Sequence, residues 1–249
     1  MFKFGDLVLL ISKDEKYLVE VRNQRFNVKS GYIELSKLKN KNFGDKIKTH
    51  LGKIFHIARP NLSDIIENLN RMQQIITPKD FGMILAYTGI APDSLILDAG
   101  TGSGFLAISL AYYANKGRVI TYEKDKRAIK VARKNIKLSK LKNIRLKVKN
   151  VKKGFDEKNA DLITLDLQNP EKIVPYAYKS LKIGGWLVIY SPTVEELINS
   201  VKKIKNIKGF SEPKIMENIV RMWQSEVTTR PKTTGLLHTG FLIFTRKVE

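Results

Sequence analysis

The sequence predicts an α/β protein: a doubly wound parallel sheet preceded by a small all-β domain. Three observations predict it. From about residue 78 onward, strand-like and helix-like segments alternate, the pattern of a parallel sheet covered on both faces. The first sixty residues show only short β-type runs. Between an apolar strand pattern and a helix stands the turn "DAGTGSG", with Gly100, Gly102 and Gly104 two apart.

In the first part, "DLVLLIS", "KYLVEVR", "GYIEL" and "IFHIARP" are separated by Gly, Asn, Asp and Lys and show no helical period. They read as one β domain over residues 1–60, closed by Pro60 and Asn61. The rest, residues 61–249, reads as a second domain. "NLSDIIENLNRM" is predicted to be a helix bridging the two, with Ser63 as N-cap and Ile65, Ile66 and Leu69 on one face. Next come "FGMILAYTG" as helix, "SLILDA" as strand, "FLAISLAYYA" as helix, "RVITYE" as strand and "AIKVARKNIKL" as helix. "IRLKV" and "ADLITLD" are strands, "IVPYAYKSL" a helix, "WLVIYSP" a strand, "VEELINSVKKI" a helix, and "KIMENIV" and "GFLIFTRK" the last strands. The chain contains no internal repeat and no low-complexity linker.

Composition narrows the function. A chain of 249 residues without cysteine has no disulfide, no thiolate metal site and no thiol nucleophile. Three scattered histidines make no metal site either, and no metal is expected. Its apolar runs end far short of the roughly 18 residues a membrane helix needs, and no signal-peptide core follows Met1, so the expected location is the cytoplasm, with no membrane partner. The formal charge of +21 points to a polyanion. The charge is clustered: residues 124–153 hold fourteen Lys or Arg against one acid, Asp125, and a second basic stretch spans residues 37–53. Clusters of this kind bind nucleic acid phosphates more often than they merely keep a surface solvated.

The glycine turn brings bare backbone to a ligand at a helix N-terminus. Nineteen residues past Gly104, at the end of the next strand pattern, Glu123 is placed to accept hydrogen bonds from ribose hydroxyls. The pair describes a site for an adenosine-containing cofactor. The spacing is not the G-x-G-x-x-G of dinucleotide sites, and no G-K-[ST] follows to make a phosphate loop.

This turn resembles motif I of the class I S-adenosylmethionine-dependent methyltransferases. That resemblance implies a mostly parallel seven-stranded Rossmann-like methyltransferase sheet whose C-terminal strand, here "GFLIFTRK", is antiparallel. "GKIFHIARPNLSD", "RMQQIITPKDFGMIL", "LDAGTGSGFL", "TYEKD", "LDLQNP", "YSPTVEEL" and "HTGFLIFTRK" run in the order of the tRNA (adenine-N1)-methyltransferases that act on the T-loop, in archaea the adenine-57/58 enzymes. The match spans nearly the whole chain.

The resemblance implies S-adenosylmethionine as cofactor, tRNA as partner and a homotetramer. It makes Asp166, in "LDLQNP", the catalytic carboxylate, facing the exocyclic amine of the target adenine. Cofactor contacts fall on Ile76, Asp98, Gly100, Gly102, Ser103, Gly104, Phe105, Glu123, Asn150, Val151 and Asp166. Two positions depart from the family. Asn150 stands where many relatives have aspartate, and Thr77 where many have a tyrosine before "PKD" that helps hold the base. Thr77, Tyr190 and His238 are further candidates on the substrate side. For His238 a structural role weighs equally, and for Tyr190 and Trp223 core packing weighs more than stacking on a base. Arg230 and Pro231 fit either a loop near the tRNA or a plain turn. Another methyl acceptor, such as isoaspartyl protein, fits the glycine turn, but not the charge or the β domain. A non-catalytic RNA-binding subunit does not fit the intact Gly100, Gly102, Gly104, Glu123 and Asp166.

Overall fold

The computed structural model describes residues 1–72, 75–225, 228–233, 235 and 238–249. Gln73 and Gln74 of "RMQQIITPKD", and Leu236 and Leu237 beside His238, lie outside the described residues. The chain forms two compact units, Met1–Leu69 and Asn70–Glu249.

The first unit holds β1 (Leu7–Ile11), β2 (Lys16–Glu20), β3 (Arg25–Val28), β4 (Gly31–Glu34), β5 (Lys46–Lys48), β6 (Ile54–Ala58) and α1 (Leu62–Glu67). An antiparallel sheet runs β2-β1-β6-β5, and β3 and β4 form a separate hairpin. Alternation drives the packing: Val8 and Leu10 of β1, Val19 of β2, Ile33 of β4, and Phe55 and Ile57 of β6 share one core. The sequence does not announce β3 and β5, because "RFNV" and "KIK" are short and half polar; pairing with β4 and β6 makes them strands.

The helix α1 belongs to this unit rather than bridging onward. Lys16 of β2 bonds Asp64 and Glu67, and Leu62, Ile65 and Leu69 are buried. Its N-cap is Asn61, not Ser63. Asn61 accepts from the Asp64 backbone N–H at 3.1 Å while the Asp64 carboxylate accepts from the Asn61 N–H at 2.9 Å, and this reciprocal box starts the helix two residues earlier.

The second unit contains α2 (Pro78–Thr88), β7 (Leu95–Ala99), α3 (Phe105–Tyr113), β8 (Arg118–Glu123), α4 (Lys126–Ser139), β9 (Ile144–Val148), β10 (Ala160–Leu165), α5 (Val174–Ser180), β11 (Leu181–Ser191) and α6 (Val194–Lys205). After these come β12 (Lys214–Glu217), β13 (Trp223–Gln224), β14 (Arg230–Pro231) and β15 (Phe241–Arg246). The seven-stranded sheet has the order β12-β15-β11-β10-β7-β8-β9. Only β15 runs against the rest, paired antiparallel with both β11 and β12, so the C-terminal strand is antiparallel as expected but lies inside the sheet. β11 begins at Leu181, where the sequence pattern suggested a helix end, and "KIMENIV" is a strand only as far as Glu217.

One face of this sheet, with Leu97, Ile120, Ile163, Leu187 and Ile243, packs on Ile173, Val174 and Ala177 around α5 and on Ile204 of α6. α4 is the basic helix: its buried side is Ala128, Ile129, Ala132 and Asn135, while Lys126, Arg127, Lys130, Arg133 and Lys134 are exposed. Trp223, for which core packing was the weightier expectation, is 59% exposed on the two-residue strand β13, whose partner β14 is Arg230–Pro231. No helix among the described residues is long and apolar enough to cross a membrane.

Candidate active site

Three adjacent strands, β10, β7 and β8, end side by side at the carboxyl edge of the sheet, and the glycine turn leaves β7 there. Gly100, with φ +95°, is required by proximity as well as by its backbone angle. A Cβ at this position would lie 1.8 Å from the carbonyl oxygen of Asp166, the residue that follows β10. The Asp166 N–H in turn donates to the Ala99 carbonyl at 2.8 Å. Gly104, at φ +87°, then starts α3 from the left-handed region, so the backbone turns sharply into the helix.

Glu123, ending β8, organises the turn. Its Oε2 accepts from the Gly102 N–H at 3.0 Å, and its Oε1 from the N–H groups of Lys124 and Asp125 at 2.8 and 2.9 Å. A carboxylate offers about four lone-pair sites, so these bonds leave about one for a ligand. Beneath the turn runs a polar row that strand register makes inevitable: Thr164 of β10 and Thr121 of β8 are both paired with Asp98 of β7. Thr121 donates to Asp98 Oδ2 at 2.6 Å and Thr164 to Oδ1 at 2.7 Å. Since Thr121 spends its proton on Asp98, its 2.5 Å contact with the Thr101 hydroxyl is a donation from Thr101. Burial pushes the Asp98 carboxyl up to about 6, against the two threonine bonds, which favour the charged form, and with Glu123 adding to the rise.

Above this edge lies a cavity of about 430 Å³. Gly100, Gly102, Ser103, Glu123, Asn150, Val151, Asp166 and Tyr190 line it, which brings together most of the positions singled out in the sequence. Asp98, Ile76, Gly104, Phe105, Thr77 and His238 are not in its wall. Asp98 acts from below through the threonine row. Ser103 is also a tether: its hydroxyl accepts from the Met72 N–H at 3.1 Å, and buried Asn135 of α4 donates to the Ser103 carbonyl at 2.7 Å and to the Asn70 carbonyl at 2.9 Å. Asn150 turns its side-chain oxygen to the Lys152 N–H at 3.0 Å.

Asp166 is half-buried at the cavity wall. Desolvation, then the charges of Asp98, Glu196 and Glu123, push its carboxyl up to about 7. The wall holds the carboxylates of Glu123, Asp125, Asp166 and Glu196 against the ammonium groups of Lys124, Lys149 and Lys152, a balance slightly in favour of a positively charged ligand. Among the described residues no group of three or more histidines and acids is placed to hold a metal ion.

A second polar cluster, missed in the sequence reading, ties down the neighbouring segments. Asp80, fully buried, pairs with Lys79 at 2.7 Å, and the Lys79 ammonium also donates to Thr239 Oγ1 at 2.7 Å and to the Asn218 carbonyl at 2.5 Å. Asp80 Oδ2 accepts from Thr77 at 2.9 Å and from Thr239 at 3.0 Å. Thr77, which stands where the resemblance implies a tyrosine, is therefore part of this cluster. Tyr190, buried in the sheet, donates to the Thr239 carbonyl. His238 sets Nδ1 against Glu217 Oε1 at 2.6 Å and Nε2 against the Pro192 carbonyl at 3.2 Å; two acceptors favour the doubly protonated ring and raise its pKa, Glu217 contributing most. The available signal was the "PKD" and "HTGF" stretches themselves, whose polar residues answer one another.

A family model described as "tRNA methyltransferase complex GCD14 subunit" matches residues 55–232. The tRNA (adenine(57)-N(1)/adenine(58)-N(1))-methyltransferase TrmI of Methanocaldococcus jannaschii is 30% identical over 98% of this chain and 95% of that protein. The crystal structure of the tRNA (m1A58) methyltransferase TrmI from Aquifex aeolicus superposes with a TM-score of 0.77 at 28% identity, covering 100% of this chain and 99% of the other. A Thermotoga maritima structure described as a SAM-dependent O-methyltransferase superposes with a TM-score of 0.84 at 31% identity, covering 100% and 95%.

Proposed function

Since the chain belongs to the tRNA methyltransferase complex GCD14 subunit family, we propose that it uses S-adenosylmethionine to methylate N1 of adenine 58 in the T-loop of tRNA. The observation that carries this reading is that Gly102, Glu123 and Asp166, from the ends of three neighbouring strands, open on one cavity. The site fits the cofactor. Gly102, beside which a Cβ would meet no side chain, brings bare backbone to the cavity, Glu123 retains an acceptor site for a ribose hydroxyl, and the carboxylates of Glu123 and Asp166 favour a cation. When bound, S-adenosylmethionine supplies an electrophilic methyl group on a positively charged sulfur.

The acceptor needs little activation. Neutral adenine carries a free lone pair on N1, so no group of the protein must remove a proton first. As N1 takes the methyl group, positive charge spreads over the ring and the exocyclic amine. Asp166 as carboxylate accepts a hydrogen bond from that amine, and the bond strengthens as the charge develops, which is stabilisation confined to the transition state. Asn150 and Val151 would hold the cofactor's adenine, the amide of Asn150 giving a weaker bond than the aspartate of many relatives. Tyr190, with the Thr77 and His238 segments, shapes the base side, and Gly104, Phe105 and Ile76, outside the cavity wall, complete the set of cofactor positions the family resemblance implies.

The exposed cations of α4 and the net charge of +21 support binding of the tRNA backbone there, with the first unit as a further tRNA or assembly surface. For assembly we favour a homotetramer. Ile215 on the edge strand β12, with Ile219, Val220, Met222 and Trp223 after it, leaves a run of apolar side chains exposed, 45–61% each, in the single chain. Light scattering at assay concentration distinguishes a tetramer from the monomer that would contradict it. The relative from Methanocaldococcus jannaschii is named for positions 57 and 58 and the Aquifex aeolicus protein for 58 alone. Incubating unmodified tRNA transcript with tritiated S-adenosylmethionine and mapping the labelled nucleoside by mass spectrometry tests the reaction and the position together. N1-methyladenosine at 58, with or without 57, is expected; label on a ribose oxygen or on protein contradicts the proposal.

A further inference from the structure

Glu196 lines the same cavity as Asp166 and has no role in the reading above beyond its charge. Its sequence context, Thr193 followed three residues later by Glu196, is that of a reciprocal helix cap. Only half of that cap forms. Thr193 Oγ1 accepts from the Glu196 N–H at 3.3 Å, but the Glu196 carboxylate does not return to Thr193; its Oε1 instead accepts from the Asn169 N–H at 3.4 Å. Asn169, a non-glycine residue at φ +57°, lies in the loop that begins at Asp166, and both Asn169 and Glu196 face the cavity. A carboxylate has thus left its ordinary local partner for a weak bond beside the cavity, in a loop whose backbone is itself strained.

We propose that Glu196 is a second carboxylate of the acceptor pocket, paired with Asp166 so that the two N–H donors of the target's exocyclic amine each meet a charged acceptor. The proposal rests on the methylation reading above and deepens it. An exocyclic amine presents two hydrogens, and one carboxylate satisfies one of them. Both bonds gain as positive charge reaches the amine, and a base with a carbonyl at that position would be repelled by both. The Glu196 charge also helps to raise the Asp166 carboxyl. The charges that raise the Asp166 carboxyl are those of Asp98 from β7, Glu196 from α6 and Glu123 from β8, and Asp125 is a further carboxylate in the cavity wall. Lys124, Lys149 and Lys152, on the segments after β8 and β9, are the cations in the cavity wall, and Lys172 bonds the Asn169 side chain.

The test compares wild type with Glu196→Gln in single-turnover methylation of tRNA transcript from pH 5.5 to 9, alongside equilibrium binding of S-adenosylmethionine. Loss of a like charge should move the acidic limb of the pH–rate profile to lower pH. The plateau rate should fall about three- to tenfold, the difference between a charged and a neutral acceptor, while cofactor affinity stays within about twofold. A melting temperature matching wild type, and a Glu196→Ala variant with a lower plateau still, exclude loss of the helix cap as the cause. Superimposable profiles would overturn the proposal, as would a loss of cofactor affinity equal to the loss in rate. Failure of the wild type to methylate tRNA at all is a separate result, and removes the reading of function instead.

Discussion

The main chain of Asp166 packs against Gly100 so closely that a Cβ at position 100 would lie 1.8 Å from the Asp166 carbonyl oxygen. The glycine turn and the strand end that carries the Asp166 carboxylate therefore share one contact. Gly100→Ala must displace one or the other. Cofactor affinity and methylation rate should fall together, with stability lower by more than about 1 kcal/mol from the clash and the positive φ. Titration calorimetry and a thermal melt read both. A variant that binds normally and melts normally would show that the contact relaxes without cost.

Glu123 is predicted to matter for the cofactor more than any single cation. It joins the Gly102 N–H to those of Lys124 and Asp125, and on the proposed reading it also accepts from the cofactor's ribose. Glu123→Ala should weaken S-adenosylmethionine binding by about 1–3 kcal/mol, the scale of hydrogen bonds left unmade in a site closed to water. Unchanged affinity by calorimetry would remove Glu123 from the cofactor site.

Asp98 makes a prediction about stability rather than binding. Its carboxyl is raised by burial to about 6 in the folded protein, against about 3.9 in an unfolded chain. Between those values the folded state holds the extra proton, so this group's contribution is complete below about pH 4 and is lost as pH rises through about 6. Asp98→Asn removes that term. The difference in unfolding free energy between wild type and variant should therefore change by roughly 2–3 kcal/mol between pH 4 and pH 7.5, in favour of the variant at high pH. Urea midpoints at the two pH values measure it, and a difference independent of pH would contradict the assignment.

Much of this site was legible in the sequence, for a physical reason. A glycine turn between a strand and a helix, with an acid at the end of the next strand, has few uses, and Gly100, Gly102, Glu123, Asn150, Val151 and Asp166 do converge on one cavity. What local pattern cannot give is pairing across the sheet. Asp98 reads as a member of the turn, yet register seats it among Thr121, Thr164 and Thr101 below the cavity. Lys79 and Asp80 look like the first turn of a surface helix, until Thr239, some 160 residues later, closes the cluster around them. Short elements fail differently: β3 and β5 exist only because a neighbour pairs with them, and Ser63 loses the N-cap to Asn61 because Asp64 can answer Asn61.

The exposed basic face of α4 predicts strong dependence of tRNA binding on salt. Each phosphate contact should contribute a slope of about −0.7 to −0.9 in log K against log salt. Replacing Lys130, Arg133 and Lys134 with glutamine should make that slope shallower while leaving S-adenosylmethionine binding unchanged. Filter binding across a salt series checks it. Equal slopes for the variant and wild type would place the tRNA on another surface.

The most direct test of the account is single-turnover methylation of tRNA by Asp166→Ala with both substrates saturating. On the proposed mechanism the carboxylate stabilises charge that appears only as N1 is methylated, so its loss should slow the step by about 10² to 10³, the range for one preorganised electrostatic contact. Binding of tRNA, which rests on phosphate contacts elsewhere, should change little. A near wild-type rate in this variant would contradict the role of Asp166 and the mechanism built on it.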